Sequence, residues 1–207
     1  MEWKAHWETI YGQKRPEEVS WYSSHLDASL KFLAHAGLNP KSRIIDVGGG
    51  ASTLVDDLIE RGVEDITVLD ISGHALAVSK ERLGRQALGV NWMEADITRA
   101  QLPSEYYDFW HDRAVFHFLT NPADRRRYMK TMSQALKPSG QLILATFALL
   151  GPPRCSGLEV ARYSPETLQA ELGGAFELVG AIAEDHQTPF GAVQKFIYAY
   201  FRKVHGR

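Results

Sequence analysis

Arg43-Ile44-Ile45-Asp46-Val47-Gly48-Gly49-Gly50-Ala51-Ser52-Thr53-Leu54-Val55 is the stretch from which the rest of the chain is read. A short apolar run ends in an acid and three glycines, and a helix start follows. Glycine supplies positive φ and has no Cβ to block a close approach, and the first turn of a helix offers unpaired N–H groups. This is a place where a small ligand can lie against backbone. A dinucleotide fingerprint beginning at Gly48 and Gly50 needs a third glycine at position 53, where the chain has Thr53. That glycine allows close helix–strand packing around a pyrophosphate, so its absence counts against NAD or FAD. No Gly-Lys-Ser/Thr follows, which removes a phosphate loop as well.

Strand-like and helix-like patterns alternate from residue 43 onward, as in a parallel sheet covered on both faces. A helix is expected from about Ser52 to Arg61, and Ile66-Thr67-Val68-Leu69 leads to Asp70. Ser72 then caps a helix through Leu83. A third strand spans about Gly89 to Met93 and runs into Glu94-Ala95-Asp96-Ile97. Tyr106 to Trp110 makes a fourth, leading to His111-Asp112-Arg113. Asn121-Pro122-Ala123-Asp124 carries a helix start, and the helix ends near Lys137-Pro138-Ser139-Gly140. Gln141 to Phe147 is the fifth strand. Two late runs, Phe176 to about Ala183 and Gln194 to Phe201, are joined too briefly for a crossover helix and are therefore antiparallel. The expected fold is a single α/β domain, a doubly wound seven-stranded mixed sheet of five parallel strands plus a C-terminal antiparallel hairpin.

Composition sets outer limits. The chain has 207 residues, 44% hydrophobic and 23% charged, enough for one ordinary globular core. A net charge of −2 argues against nucleic acid or an anionic membrane as partner. The single cysteine, Cys155, excludes a disulfide framework, and the histidines form no ligand motif, so no metal is expected. No apolar run approaches the roughly 20 residues of a spanning helix, and the N-terminus lacks a signal-peptide core; a cytoplasmic location is the expectation.

Asp46, Asp70 and Asp96 all end strands in successive strand–helix units, where ligands bind in doubly wound sheets. A carboxylate there can accept two hydrogen bonds from a ribose diol. Ile44 to Gly50, Val68-Leu69-Asp70-Ile71-Ser72, Glu94-Ala95-Asp96-Ile97, Tyr107-Asp108 and Leu136-Lys137-Pro138-Ser139-Gly140 resemble, in order, the motifs of class I S-adenosylmethionine (SAM) methyltransferases, strongly over about residues 43–147. The resemblance implies a Rossmann-like fold with SAM as methyl donor. It implies Asp46, Gly48 and Gly50 beside the methionine part, Asp70 on the ribose hydroxyls, Ile71 against adenine, and Asp96 and Ile97 at the adenine edge. Ser52 stands where many members have a further glycine.

The acceptor side is read from His111-Asp112-Arg113. This segment replaces the Asn/Asp-Pro-Pro-Tyr/Phe turn of DNA-amino and glutamine methyltransferases, so those acceptors are not expected. His111, Asp112 and Arg113 are the catalytic candidates. Arg113 can pair with an acidic acceptor, and His111 can accept a proton or touch the donor through its backbone. Asp112 and Arg113 can equally form a structural ion pair. His117, between aromatics, reads as a packed histidine, and Arg125-Arg126-Arg127 as a solvated face. Cys155 reads as incidental.

Trp3, Trp7 and Tyr11 recur along one helical face, with Trp21-Tyr22 close behind. Residues 7–22 resemble the W-x-x-x-Y and Trp-Tyr pattern that folds over SAM in several small-molecule and protein-lysine methyltransferases. Trp7, Tyr11, Trp21 and Tyr22 are therefore expected to cover the donor, making residues 1–42 an aromatic helical cover on a SAM-binding core of residues 43–207. Trp3 is expected to dock the helix. A small-molecule acceptor, a thiol or related nucleophile, fits the absence of an appended recognition domain. Asp112-Arg113 and the Arg-x-x-Tyr of Arg125 to Tyr128 resemble thiopurine-type enzymes. A protein-lysine acceptor and a non-catalytic SAM-binding regulatory module are the alternatives.

Overall fold

Ile44 and Ile45 are both fully buried, yet they pack into different cores, because successive side chains of a strand point to opposite faces of the sheet. This double burial runs through the computed structural model, which describes residues 2–204. Residue 1 and residues 205–207, at the outer limits of the two expected segments, lie outside the described residues. In chain order the elements are α1 (Glu2–Gln13), α2 (Asp27–His35), β1 (Arg43–Val47), α3 (Leu54–Glu60), β2 (Asp65–Asp70), α4 (Gly73–Leu83), β3 (Val90–Glu94), β4 (Tyr107–Arg113), α5 (Pro122–Ala135), β5 (Leu136–Phe147), β6 (Arg154–Cys155), β7 (Leu158–Glu159), α6 (Pro165–Leu172), β8 (Phe176–Gln187) and β9 (Val193–Lys203).

The main sheet has seven strands in the order β3-β2-β1-β4-β5-β9-β8. The first five are parallel, and β9 runs antiparallel to both β5 and β8. The sequence-expected architecture is the one observed. Strand order reverses between β1 and β4, so the crevice beyond their carboxyl ends is the topological switch point. Leu33, Leu54, Leu58 and Leu76 cover one face against Ile44 and Phe109. Tyr128, Met132 and Leu168 cover the other against Ile45, Trp110 and Leu142.

Element ends differ from the sequence reading where side chains intervene. Helix α3 starts at Leu54, not Ser52, because Ser52 closes the glycine turn through its N–H to Gly49 O (3.0 Å) and accepts Leu54 N at its hydroxyl (3.2 Å). β4 continues through His111-Asp112-Arg113, paired to Asp46 and Val47 on one side and to Ile143, Leu144 and Ala145 on the other. The segment expected at the end of the fourth strand is thus part of that strand and central in the sheet. β5 begins at Leu136; Pro138-Ser139-Gly140 sits within it as an irregularity, with Ser139 at φ 63°. The β6–β7 hairpin was not expected.

Helix α1 carries two stripes. Trp3, Trp7 and Tyr11 face inward over the carboxyl ends of the strands. On the neighbouring stripe Lys4 pairs with Glu94, and Glu8 pairs with His74 and accepts the Gly73 N–H at 2.6 Å. An acid at the first N–H groups of α4 is favourably placed for the helix dipole. The aromatic cover is therefore fastened to the β2–α4 and β3 ends. No helix among the described residues is long and apolar enough to cross a membrane.

A Cβ at Gly50 would lie 2.4 Å from Ala75 Cβ and 2.6 Å from Asp70 Oδ2. Gly50→Ala is expected to destabilise the protein by about 1–3 kcal/mol in denaturant unfolding, the usual cost of overpacking. Gly89→Ala, where an added Cβ meets nothing within 4 Å, is expected to stay within about 0.5 kcal/mol of the parent. Equal effects would remove the steric argument.

Candidate functional site

Beyond the carboxyl ends of β1, β2 and β4 lies a cavity of about 360 Å³. Gly48, Leu69, Asp70, Ile71, Asp96 and Ile97 form its floor and one wall; Trp3, Trp7, Tyr11, Trp21 and Phe118 form its roof; Arg113, Ala114, Val115 and Cys155 close the far side. A side chamber of about 50 Å³ opens between Tyr11, Trp21, Tyr22, Gly48, Thr53 and Arg113.

Gly48 leaves β1 at φ 72°, and a Cβ there would fall 2.0 Å from Val115 Cγ2. Only glycine brings the backbone this close to the cavity. Asp70 follows from the end of β2. Its Oδ2 accepts Gly50 N at 3.0 Å and its Oδ1 accepts Ser72 N at 2.8 Å, leaving a further acceptor site on each oxygen. Burial pushes its carboxyl up to about 6, against those two hydrogen bonds. Asp96 is held by Thr98, whose N–H and hydroxyl donate to Oδ1 at 2.9 and 2.7 Å. Ile71, Leu69, Ala95 and Ile97 make an apolar slot between these two acids.

The expected group divides. The cavity brings together Gly48, Asp70, Ile71, Asp96, Ile97, Trp7, Tyr11, Trp21 and Arg113, and Tyr22 borders the side chamber. Asp46, Gly50, His111 and Asp112 border neither. Gly50 sits beneath Asp70 as a spacer. His111 is hydrogen-bonded through Nδ1 to Asp46 Oδ1 at 2.7 Å and through Nε2 to the Ser29 hydroxyl at 2.7 Å. This Ser–His–Asp order imitates a nucleophilic triad, but the three residues are 0%, 1% and 2% exposed. It ties α2 to β4 and β1 and offers no nucleophile to the cavity. Asp112 points to the other face, fully buried, where it accepts Tyr128 OH at 2.6 Å, Val115 N at 2.9 Å and Phe116 N at 3.1 Å. Burial pushes its carboxyl up to about 6 as well. The expectation that His111 and Asp112 surround an acceptor is therefore corrected: alternation along a central strand buries one on each face. Asp112 and Arg113 form no ion pair, because adjacent strand residues diverge.

Arg113 donates from Nε to Tyr198 OH at 2.7 Å and from Nη1 to the Trp21 carbonyl at 2.9 Å. His117 is packed as expected; Nδ1 accepts Phe147 N at 3.3 Å, and burial pulls its pKa down to about 3. The sequence reading missed Trp3, Phe118 and Cys155 as cavity residues. Trp3 shared the stripe of Trp7 and Tyr11, so its signal was present. Cys155 reaches the cavity only through the β6–β7 hairpin, which no local pattern marks; burial pushes its thiol up to about 12. Of the three consecutive arginines, Arg127 reaches the cavity, paired with Asp124, whereas Arg125 binds Glu171 at 3.1 Å. Among the described residues no group of three or more His, Cys, Asp or Glu is placed to hold a metal ion.

Residues 45–144 match the family model described as a methyltransferase domain. Over 110 residues the chain is 27% identical to an eEF1A lysine and N-terminal methyltransferase of Mus musculus, covering 53% of this chain and 16% of that protein. Over 123 residues it is 27% identical to the ubiquinone/menaquinone biosynthesis C-methyltransferase UbiE of Bordetella parapertussis, covering 58% of this chain and 46% of that one. The chain thus spans less than half the length of these curated relatives. A solved structure concerned with conversion of a disulfide bond into a thioacetal group during echinomycin biosynthesis shares the fold, with a TM-score of 0.77, 17% identity, and coverage of 98% of this chain and 92% of that one. Taken with the strand order and the acids at successive strand ends, the match identifies residues 45–144 as a methyltransferase domain.

Proposed function

We propose that the protein transfers the methyl group of SAM to a small-molecule nucleophile enclosed beneath α1. The observation that carries this reading is the roof: Trp3, Trp7, Tyr11, Trp21 and Phe118 close over the strand ends. Trp7 stacks edge-on against Trp21 and Phe118 at 5.7 and 5.1 Å between centroids. In this reading Asp70 receives the ribose hydroxyls, Ile71 and Ile97 flank the adenine, Asp96 lies at its edge, and Gly48 lets the methionine part run against backbone. The aromatic faces favour the positively charged sulfonium and keep water out. Gly50 acts from beneath, its N–H holding Asp70 in place, and the Asp46–His111 pair lies under the turn.

Displacement at a methyl carbon depends chiefly on alignment of nucleophile, carbon and leaving sulfur. The cavity supplies little else. Cys155 is held protonated, the Tyr11 phenol is pushed well up by burial, and His111 and Asp112 are turned away. An acceptor that arrives already nucleophilic, such as a thiolate or related soft heteroatom, suits such a site. A protein-lysine acceptor is the second reading, favoured by the likeness to the mouse lysine methyltransferase.

Turnover with methyl-labelled SAM separates them. Offered small thiols, amines and a lysate protein fraction, the protein is expected to label thiols; label in the protein fraction alone would overturn the small-molecule reading, and tight SAM binding with no label anywhere would favour a regulatory module.

Asp70 also imposes a pH dependence. Its ionised form is the better acceptor for a diol, so affinity for S-adenosylhomocysteine (SAH) is expected to fall below pH 6, by up to tenfold per unit. Asp70→Asn is expected to bind weakly with a flat profile between pH 5 and 8. Stability moves the opposite way: the folded pKa lies above the unfolded value near 4, so the native state holds the extra proton and loses stability as pH rises from about 4 through 6. Titration calorimetry at several pH values checks the first claim; a parent profile as flat as that of Asp70→Asn would refute it.

A further inference from the structure

Arg113 ends β4 with its guanidinium held on three sides by neutral groups. Nε donates to the Tyr198 hydroxyl, Nη1 to the Trp21 carbonyl, and the guanidinium carbon lies 4.7 Å from the centroid of the Phe196 ring. Glu184 reaches this cluster only through the Tyr198 hydroxyl, at 3.5 Å. Asp112 spends its oxygens on the opposite face of the sheet. Among the described residues no carboxylate forms an ion pair with Arg113, and its Nη2 is buried without a hydrogen-bond partner. The side chain borders both the main cavity and the side chamber, next to Gly48, Tyr11 and Trp21.

A cation splinted by neutral partners, with one buried nitrogen unpaired on a side chain that borders a cavity, is suited to receive an anion. Buried polar groups in native proteins are nearly all paired, so an orphaned guanidinium nitrogen calls for a partner. Planar N–H donors match a carboxylate especially well, and the low-polarity surroundings strengthen the pairing. We infer that Arg113 is the anchor for a ligand carboxylate at the junction of the two chambers. Tyr198 and Trp21 are positioning groups for it: they fix Nε and Nη1 and leave Nη2 as the unpaired donor of a side chain that borders both chambers. Two molecules supply this chemistry, the amino-acid end of the methyl donor and an acidic acceptor. The inference rests on the donor site and is independent of the small-molecule reading, since donor affinity is measured with no acceptor present.

The test compares ligands as well as proteins. Calorimetry on the intact chain measures SAH, decarboxylated SAH, and phenylacetate added to SAH-saturated protein; phenylacetate is chosen for the aromatic lining. If the donor supplies the carboxylate, the parent prefers SAH over its decarboxylated form by at least tenfold, and Arg113→Gln erases that preference. If an acceptor supplies it, the parent binds SAH and its decarboxylated form alike, and SAH-saturated parent binds phenylacetate, which Arg113→Gln abolishes. Tyr198→Phe, which keeps the charge but releases Nε, is expected to weaken the relevant ligand by severalfold. The inference is overturned if the parent neither discriminates against decarboxylated SAH nor binds phenylacetate, a result that needs no variant to fold. It is also overturned if Arg113→Gln leaves both quantities within twofold. Failure of the parent to bind SAH at all is a distinct outcome that removes the donor site and this anchor together.

Discussion

Nothing larger than hydrogen fits between the turn after β1 and the two carboxylates it covers. A Cβ at Gly49 would sit 2.3 Å from Asp46 Oδ2, and one at Gly50 would sit 2.6 Å from Asp70 Oδ2. The turn therefore lies flat on the ends of β1 and β2, and Asp70 accepts the Gly50 N–H at the edge of the cavity rather than folding away from it. Everything else at the site inherits this geometry. Asp70 is poised because glycine holds it, and Gly48 exposes backbone because Val115 blocks any side chain there. Burial of a carboxylate in this corner raises its pKa, a cost the fold accepts to keep an acceptor pair fixed.

A second layer of polar groups sets the scaffold without touching the cavity. The Ser29–His111–Asp46 chain joins α2 to β4 and β1, and Asp112 with Tyr128 and Trp110 joins β4 to α5. Such networks specify one arrangement when their members are satisfied; the Asp112 carboxylate is paired at both oxygens, whereas Asp46 Oδ2 is buried without a hydrogen-bond partner. Asp112 also accepts the N–H groups of Val115 and Phe116, and so shapes the segment that forms the cavity's far side. Above, α1 is fixed by Lys4 and Glu8 to the very turns that carry Asp70 and Glu94. Cover and floor are thus mechanically joined, and a ligand lying on Asp70 lies beneath the aromatic roof.

Much of this is legible in the sequence because it is local. Strand periodicity, an acid at each strand end and glycines immediately after are short-range signals, and they locate β1, β2, β3 and the cavity floor. The stripe of Trp3, Trp7 and Tyr11 is equally local and locates the roof. His111-Asp112-Arg113 misleads because polar residues at a strand's end look available to a ligand, whereas the burial of His111 and Asp112 depends on Ser29, Asp46 and Tyr128, far apart in the chain. Cys155 enters the cavity through a two-residue-per-strand hairpin whose place is set by packing on Phe118 and Phe147. Ser52 in place of a further glycine is accommodated by using its hydroxyl to start α3. Where chemistry depends on side chains converging from distant segments, pattern alone fails.

Asp70, Asp96 and the glycine turn form one donor site beneath α1. A crystal structure of the protein with SAH tests it most directly. Ribose hydroxyls are expected within hydrogen-bond distance of the Asp70 carboxylate, the adenine between Ile71 and Ile97, and the thioether beneath Trp7 and Trp21. SAH bound elsewhere, or in this cavity with its ribose turned away from Asp70, would contradict it.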